Sequence, residues 1–206
     1  GLGHAAHTRA AGTLWQGDVV TTTPPPVPME PPEGTEALLF DCDGTLVDTL
    51  SLYRVCWRQV FGRHGFEMSD EWFAERAGNH VHAFVAQAFP DAAEQQRQAI
   101  TDEGMDLFMA STHLLEPLEH VVAIARAHHG RLPMAVVSSG LHHAVHASLE
   151  AARISDLFDV VITLAEVPTG KPAPDGYVRA MALLGVDPAA CVAYEDSSTG
   201  VEAARA

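Results

Sequence analysis

The chain has 206 residues, of which 47% are hydrophobic and 19% are charged, and its formal net charge is −15. This length allows one substantial core with a small inserted module, and the composition is that of a globular protein. The negative charge argues against nucleic acid or an anionic membrane surface as a partner, but it leaves open an anionic substrate held by a metal and a lysine.

The first 34 residues are rich in Gly, Ala, Thr and Pro, and they include the run Pro24-Pro25-Pro26. Such a segment buries little apolar surface, so residues 1–34 are predicted to be a disordered, proline-rich leader. They lack the basic-then-apolar pattern of a signal peptide, and no apolar run in the sequence approaches the ~20 residues that cross a bilayer. A cytoplasmic location is therefore the expectation, and a monomer is taken only as the default.

From residue 35 onward, short apolar runs alternate with stretches of helical spacing. The predicted strands cover residues 37–41, 134–138, 159–163 and 191–194. Helices are predicted over 141–152 and 174–185, the second of which has a proline at its start and a glycine at its end. This alternation predicts an α/β fold with a parallel sheet and helices on both faces.

Residues 50–115 interrupt the alternation. They show helical spacing of apolar residues and no convincing strand, which predicts a helical insertion. The predicted organisation is a core of residues 35–49 and 116–206 with a helical cap of residues 50–115. Asp48 or Thr49 is expected to cap the first helix of this insertion.

Two carboxylates, Asp41 and Asp43, follow the first apolar strand directly, and Gly44 then allows the chain to turn. Because side chains alternate along a strand, both carboxylates can point to the same side. Two such charges are unfavourable together unless one takes a proton or a cation lies between them. The pattern suits a carboxylate nucleophile, a general acid and base, and a divalent metal.

Polar segments also follow the other three predicted strands. They are Ser138-Ser139-Gly140, Gly170-Lys171-Pro172 and Glu195-Asp196-Ser197. Ligands of open α/β sheets bind at the carboxyl ends of the strands, so these segments are expected to gather around one site. Ser198 or Thr199 is expected to cap a final helix. The N-terminus of that helix would face the same site and would favour the binding of an anion there.

The string of residues 41–49, Asp-Cys-Asp-Gly-Thr-Leu-Val-Asp-Thr, resembles the first motif of the haloacid dehalogenase superfamily of phosphatases and phosphomutases. The order and spacing of the later segments extend the resemblance over about residues 36–206. It implies a Rossmann-like, doubly wound parallel sheet with an inserted helical cap. Members of the family continue beyond the point where this chain ends, which implies that the last strand is missing from it.

The resemblance also implies catalytic roles. Asp41 would attack phosphorus and form an aspartyl-phosphate, and Asp43 would act as general acid and then as general base. Ser138 would donate a hydrogen bond to the phosphoryl group, and Lys171 would balance its charge.

A magnesium site is implied by the same resemblance. Mg²⁺ would be held by the Asp41 carboxylate, the Asp43 backbone carbonyl and Asp196, with Glu195 contributing directly or from a second layer. Oxygen ligands of this kind are those that Mg²⁺ prefers.

The substrate implied by the resemblance is a small phosphate ester, held by Ser138, Ser139 and Lys171 from the core. Three cap residues, Gly78, Asn79 and His80, are expected to face it from above.

The layout is most similar to β-phosphoglucomutase and to fructose-1-phosphate phosphatase-like members. Asp43 favours phosphoryl transfer over dehalogenation, and the absence of lysine from residues 50–115 argues against phosphonate hydrolysis. The cap arginine of the mutases falls near Val81, and their hinge histidine falls at Tyr53. A phosphatase acting on a sugar phosphate is therefore predicted, while a phosphomutase and a truncated, non-catalytic protein remain alternatives.

Overall fold

The computed structural model describes residues 30–76 and 80–206, so most of the predicted leader lies outside the described residues. The central sheet has four parallel strands in the order β3-β2-β1-β4. The strands are β1 (Ala37–Phe40), β2 (Met134–Val137), β3 (Val160–Ile162) and β4 (Cys191–Tyr194). Each lies within its predicted range, and the chain changes direction across the sheet beside β1, as in doubly wound folds. The α/β prediction is confirmed.

The strands end level with one another at one edge of the sheet. Phe40 is paired with Val136 on one side and with Tyr194 on the other. The pairing continues past the strands, because the Asp41 amide donates to the Tyr194 carbonyl at 3.0 Å. The Ser138 amide likewise donates to the carbonyl of Ile162 at 2.9 Å. The polar segments that follow the strands therefore start from a common edge.

Helices cover both faces of the sheet. In the described part of the chain they are α1 (Thr49–Arg63), α2 (Asp70–Ala74), α3 (Val81–Ala88), α4 (Glu94–Ser111), α5 (Glu119–His128), α6 (His142–Ala151), α7 (Asp175–Leu184) and α8 (Ser198–Arg205). Phe40 belongs to a core that includes residues of α5 and α6, whereas Leu39 belongs to a second core with residues of α7 and α8. This division follows from the alternation of side chains along a strand.

Helices α1 to α4 form the insertion between β1 and the rest of the core. The described part of residues 50–115 contains no strand, as predicted, while the domain boundaries stay a prediction. Phe61 is fully buried in this layer, and its ring centroid lies 5.4 Å from those of Trp57 and Phe84. The cap helices thus contribute an aromatic part to the core that also contains Phe40 of the sheet.

The helix ends test three further expectations. Asp48 caps α1 as predicted, since its side chain accepts from the Ser51 amide at 3.3 Å. Gly185 ends α7 with a φ of 69°, which is the left-handed conformation that glycine favours. The predicted cap of α8 is wrong, because Ser197 caps it instead of Ser198 or Thr199: it keeps extended backbone and accepts from the Gly200 amide at 3.0 Å.

No helix in the described ranges combines the length and the apolar composition that a membrane crossing requires.

Candidate active site

Asp41 and Asp43 leave the tip of β1, and the loop that follows brings the chain back towards the end of β4. Asp41 is only 7% exposed. Gly44 has a φ of 84°, and a β-carbon at this position would collide with Asp196 Oδ2. Glycine is therefore required here both by the backbone conformation and by the close approach of a carboxylate from β4.

Lys171 joins the tips of β1 and β4. Its Nζ lies 2.5 Å from Asp41 Oδ1 and 2.5 Å from Glu195 Oε1, and all three side chains are almost fully buried. Burial opposes the charge of the ammonium, but Asp41 and Glu195 outweigh it and raise the pKa of Lys171. This residue is the only lysine in the sequence. Its position was predicted from the sequence, and the structure brings it together with Asp41.

Glu195 is a hydrogen-bonding centre in its own right. The hydroxyl of Tyr177, a residue that is 2% exposed, donates to Glu195 Oε1 beside Lys171. Ser197 Oγ donates to Glu195 Oε2 at 3.4 Å. A β-carbon at Gly200 would overlap this carboxylate, so the start of α8 packs directly on it. Glu195 is consequently held in one orientation by several contacts.

Asp43 pairs with the end of β2. Ser138 Oγ donates to Asp43 Oδ2 at 3.2 Å and accepts from the Gly140 amide at 2.9 Å. Burial raises the pKa of Asp43, and the hydrogen bond from Ser138 only partly offsets this effect. Asp43 is thus disposed to hold a proton, which suits a general acid.

Three carboxylates offer ligand atoms to a metal ion. Oxygens of Asp41, Glu195 and Asp196 all lie within 4.8 Å of one another. Thr45 Oγ1 donates to Asp196 Oδ1 at 3.3 Å and so helps to orient that carboxylate. The donors are exclusively carboxylate oxygens, which is the chemistry that Mg²⁺ prefers.

The charge balance of the site also fits a divalent cation. Burial raises the pKa of Asp41 to about 8, with further increases from Glu195 and Asp43 that Lys171 only partly opposes. One ammonium therefore does not neutralise the carboxyl groups gathered here. A bound dication would supply the missing positive charge and would favour the ionised form of Asp41.

A cavity of about 330 Å³ lies above these groups. We call its core side the floor; it is formed by Asp41, Asp43, Ser138, Ser139, Lys171 and Asp196, together with Gly140, Leu141, Ser197 and Thr199. We call its cap side the cap wall; it is formed by Leu50, Tyr53, Trp57, Phe73, Ala74, His80, Val81, Phe84 and Met105. Ser139 and His80 line the cavity, and their contact with substrate stays a prediction, whereas Gly78 and Asn79 lie outside the described residues.

Two residues that donate hydrogen bonds to the acidic groups of the site, Tyr177 and Thr45, were not predicted from the sequence. Tyr177 lies in the first turn of α7, shortly after the Lys171 loop, but a tyrosine in a helix is ordinarily read as a core residue. Thr45 stands next to Gly44 in the motif of β1, and its partner Asp196 is 151 residues away. The proximity of Thr45 to the motif was the one signal available for it.

Comparisons with known proteins agree with this architecture. The sequence model of the haloacid dehalogenase-like hydrolases matches residues 35–206. The chain is 32% identical over 172 residues to the fructose-1-phosphate phosphatase YqaB of Escherichia coli, covering 82% of this chain and 90% of that protein. It is 30% identical over 216 residues to a β-phosphoglucomutase of Mycobacterium bovis, covering 85% of this chain and 79% of the relative.

Among solved structures, CbbY of Rhodobacter sphaeroides in complex with phosphate aligns with a TM-score of 0.72 and 27% identity. The alignment covers 83% of this chain and 82% of CbbY. The family match spans both the sheet and the cap helices, and the solved structure shares their arrangement. The chain therefore belongs to the haloacid dehalogenase-like hydrolase family.

Proposed function

We propose that the protein is a Mg²⁺-dependent phosphatase that hydrolyses a small phosphomonoester through an aspartyl-phosphate on Asp41. The observation that carries this proposal is the buried contact of 2.5 Å between Lys171 Nζ and Asp41 Oδ1 on the floor of an open cavity. A carboxylate oriented by an ammonium, beside a second carboxyl group disposed to hold a proton, is the arrangement that nucleophilic phosphoryl transfer needs.

In the first half-reaction, the phosphoryl group is held by Lys171 and Ser138, which line the cavity together with Asp41. Asp41 attacks phosphorus, and the bond between phosphorus and the ester oxygen breaks. Asp43 gives its proton to that oxygen, so the substrate leaves as a neutral alcohol. The product on the enzyme is the mixed anhydride of Asp41 and phosphate.

In the second half-reaction, Asp43 is ionised and accepts a proton from water. The resulting hydroxide attacks phosphorus, the bond to Asp41 breaks, and inorganic phosphate leaves. The Ser138 hydroxyl lies 3.2 Å from Asp43 Oδ2 and orients this carboxyl group in both steps. One side chain thus serves as acid and then as base.

Mg²⁺ would be held by Asp41 and Asp196, together with the Asp43 backbone carbonyl. When bound, the ion supplies positive charge for the phosphoryl oxygens in the transition state. Glu195 Oε1 already accepts from Lys171 and Tyr177, which supports an orienting role for Glu195 as much as direct ligation.

A phosphomutase is the second candidate, because a β-phosphoglucomutase is among the relatives. A mutase has to hold a second phosphate while the bisphosphate turns over. Among the described residues of the cap wall there is no lysine or arginine, and Val81 occupies the position where the resemblance implies an arginine. This favours water as the acceptor. The carboxyl groups of Asp41, Glu195 and Asp196 lie close together, which also argues against a non-catalytic role.

The test is phosphate release from a panel of phosphomonoesters, headed by the sugar phosphates for which several relatives are named. We expect turnover with Mg²⁺, none with a chelator, and a loss of about 10⁴-fold in Asp41→Asn. The matched control is Asp106→Asn, at an exposed position of α4. Phosphate release that survives Asp41→Asn would contradict the mechanism, and primer-dependent conversion of β-glucose 1-phosphate into glucose 6-phosphate would establish the mutase.

The expectation of a cytoplasmic monomer without a nucleic-acid or membrane partner stays a prediction.

A further inference from the structure

The cap wall is chemically unlike the floor. Six of its nine residues carry large, predominantly apolar side chains: Leu50, Trp57, Phe73, Val81, Phe84 and Met105. In the described part of the chain, the charged residues that line the cavity all belong to the floor. Among the described residues, the cap wall adds three polar groups, which are the phenol of Tyr53, the indole N–H of Trp57 and the imidazole of His80.

The two ionisable groups, Tyr53 and His80, add little charge to the cap wall. Burial raises the pKa of Tyr53 well above its ordinary value, so the phenol stays neutral. His80 is exposed, and its Nδ1 accepts from the His82 amide at 3.4 Å as the cap of α3. Burial, together with the neighbouring His82, lowers the pKa of His80 and disfavours its charged form. The cap wall therefore offers its ligand little charge and few hydrogen bonds.

The cap wall is also supported from behind. The Tyr53 ring stacks on Phe108 with a centroid distance of 4.1 Å and an interplanar angle of 7°. The centroids of Trp57 and Phe84 lie 5.6 Å apart, and a β-carbon at Gly104 would overlap the Trp57 ring. Close packing of this kind holds side chains in place, so the apolar surface is preformed.

We propose that the cap wall selects a phosphomonoester whose leaving group is an apolar ring or branched hydrocarbon, a preference that rests on the proposed phosphatase function. With the phosphoryl group on the floor beside Lys171, the ester oxygen lies towards Asp43 and the remainder of the alcohol extends to the cap wall. An apolar alcohol gains free energy by leaving water there. The hydroxyls of a polyol would lose their water and find few partners, which is unfavourable. This specificity departs from the sugar phosphates expected from the family resemblance.

A matched pair of esters tests the proposal. Cyclohexyl phosphate and myo-inositol 1-phosphate carry the same six-membered ring and differ in the hydroxyl groups of that ring. We expect kcat/KM with Mg²⁺ to be at least about tenfold higher for cyclohexyl phosphate. Dissociation constants measured with Asp41→Asn, which binds without turnover, should show the same preference.

Val81 is the residue to change, because it is half-buried and lines the cavity at the start of α3. Val81→Asn should lower the cyclohexyl-to-inositol ratio of kcat/KM roughly tenfold. Val81→Thr keeps the shape and should lower it less. The control is Val55→Asn, since Val55 is a 57% exposed cap residue of α1 outside the cavity lining. Thermal unfolding of each variant verifies that it is folded.

The outcomes distinguish the proposal of a phosphatase from the proposal of apolar selection by the cap wall. Equal turnover of both esters, or a preference for inositol phosphate, overturns the apolar selection and leaves the phosphatase standing. Failure to release phosphate from any ester overturns the phosphatase, and tighter binding of cyclohexyl phosphate to Asp41→Asn would then still support apolar recognition. A ratio that responds equally to Val55→Asn and Val81→Asn contradicts the assignment to the cap wall.

Discussion

The floor and the cap wall of the cavity are built in opposite ways. The floor takes polar side chains from the ends of several strands, so that Asp41 and Lys171, 130 residues apart, lie in contact. The cap wall takes apolar side chains from the faces of helices close together in sequence, such as Trp57 of α1 and Phe84 of α3. Under the two proposals, the difference separates two tasks: the strand ends would provide the reaction, and the helical faces would determine which alcohol fits above it.

After Asp41→Asn, the largest expected effect also tests the floor. Lys171→Met removes the ammonium that contacts Asp41 and Glu195, so we expect phosphate release to fall about 10³-fold. Stability should fall by about 3 kcal/mol at neutral pH, because two buried carboxylates lose their partner. The control is Arg179→Met on the exposed side of α7. Activity of Lys171→Met close to that of the control would show that the ammonium is not part of the catalytic floor.

A pair of glycines tests the link between the loop of β1 and the metal site. Gly44 and Gly65 both have a φ of 84°, so alanine at either position should destabilise by roughly 1–2 kcal/mol. Only at Gly44 would the new β-carbon collide with Asp196, whereas no atom lies within 4 Å at Gly65. Gly44→Ala should therefore raise the Mg²⁺ concentration for half-maximal activity about tenfold, and Gly65→Ala should not. The same Mg²⁺ dependence in both variants would refute a metal role for Asp196.

A second pair of glycines tests the cap wall. Gly104→Ala places a β-carbon inside the Trp57 ring, which should cost about 1–3 kcal/mol of stability and shift the preference between the two ring esters. Gly62→Ala, in α1 with no atom within 4 Å, should instead stabilise by about 0.5 kcal/mol. Urea unfolding and the two kcat/KM values measure both effects. A changed Mg²⁺ dependence in Gly104→Ala would mean that floor and cap wall are not independent.

The smallest expected effect concerns Tyr177, which acts on the floor through Glu195. Tyr177→Phe removes one hydrogen bond to this carboxylate, so stability should fall by about 1 kcal/mol and kcat/KM only a few-fold. Urea midpoints and initial rates measure the two effects. A loss as large as that of Lys171→Met would indicate that the phenol contacts the substrate directly.

Local pattern was sufficient for most of the sheet and the floor. An apolar run followed by Asp41 and Asp43 predicts both a buried strand and the polar residues at its end. This is possible because side chains alternate along a strand with a period of two, so a few residues are enough to show the pattern. Ser138 and Lys171 were less informative by themselves, and their assignment to the site depended on the order of the segments in the family resemblance. The cap of α8 was misplaced by one residue, because Ser197, Ser198 and Thr199 are all good capping residues and only the backbone conformation distinguishes them.

Sequence alone located the end of each strand to within one residue and the polar segments that follow the strands, since both are properties of short, contiguous segments. Tertiary structure alone decided that Tyr177 donates a hydrogen bond to Glu195 and that Trp57 packs against Gly104. It also decided that the cap wall is largely apolar. The physical reason is that the period of 3.6 residues determines which side chains lie on the same face of a helix, but not which other element that face packs against. What those side chains meet depends on how α1, α3 and α4 pack on one another and over the sheet.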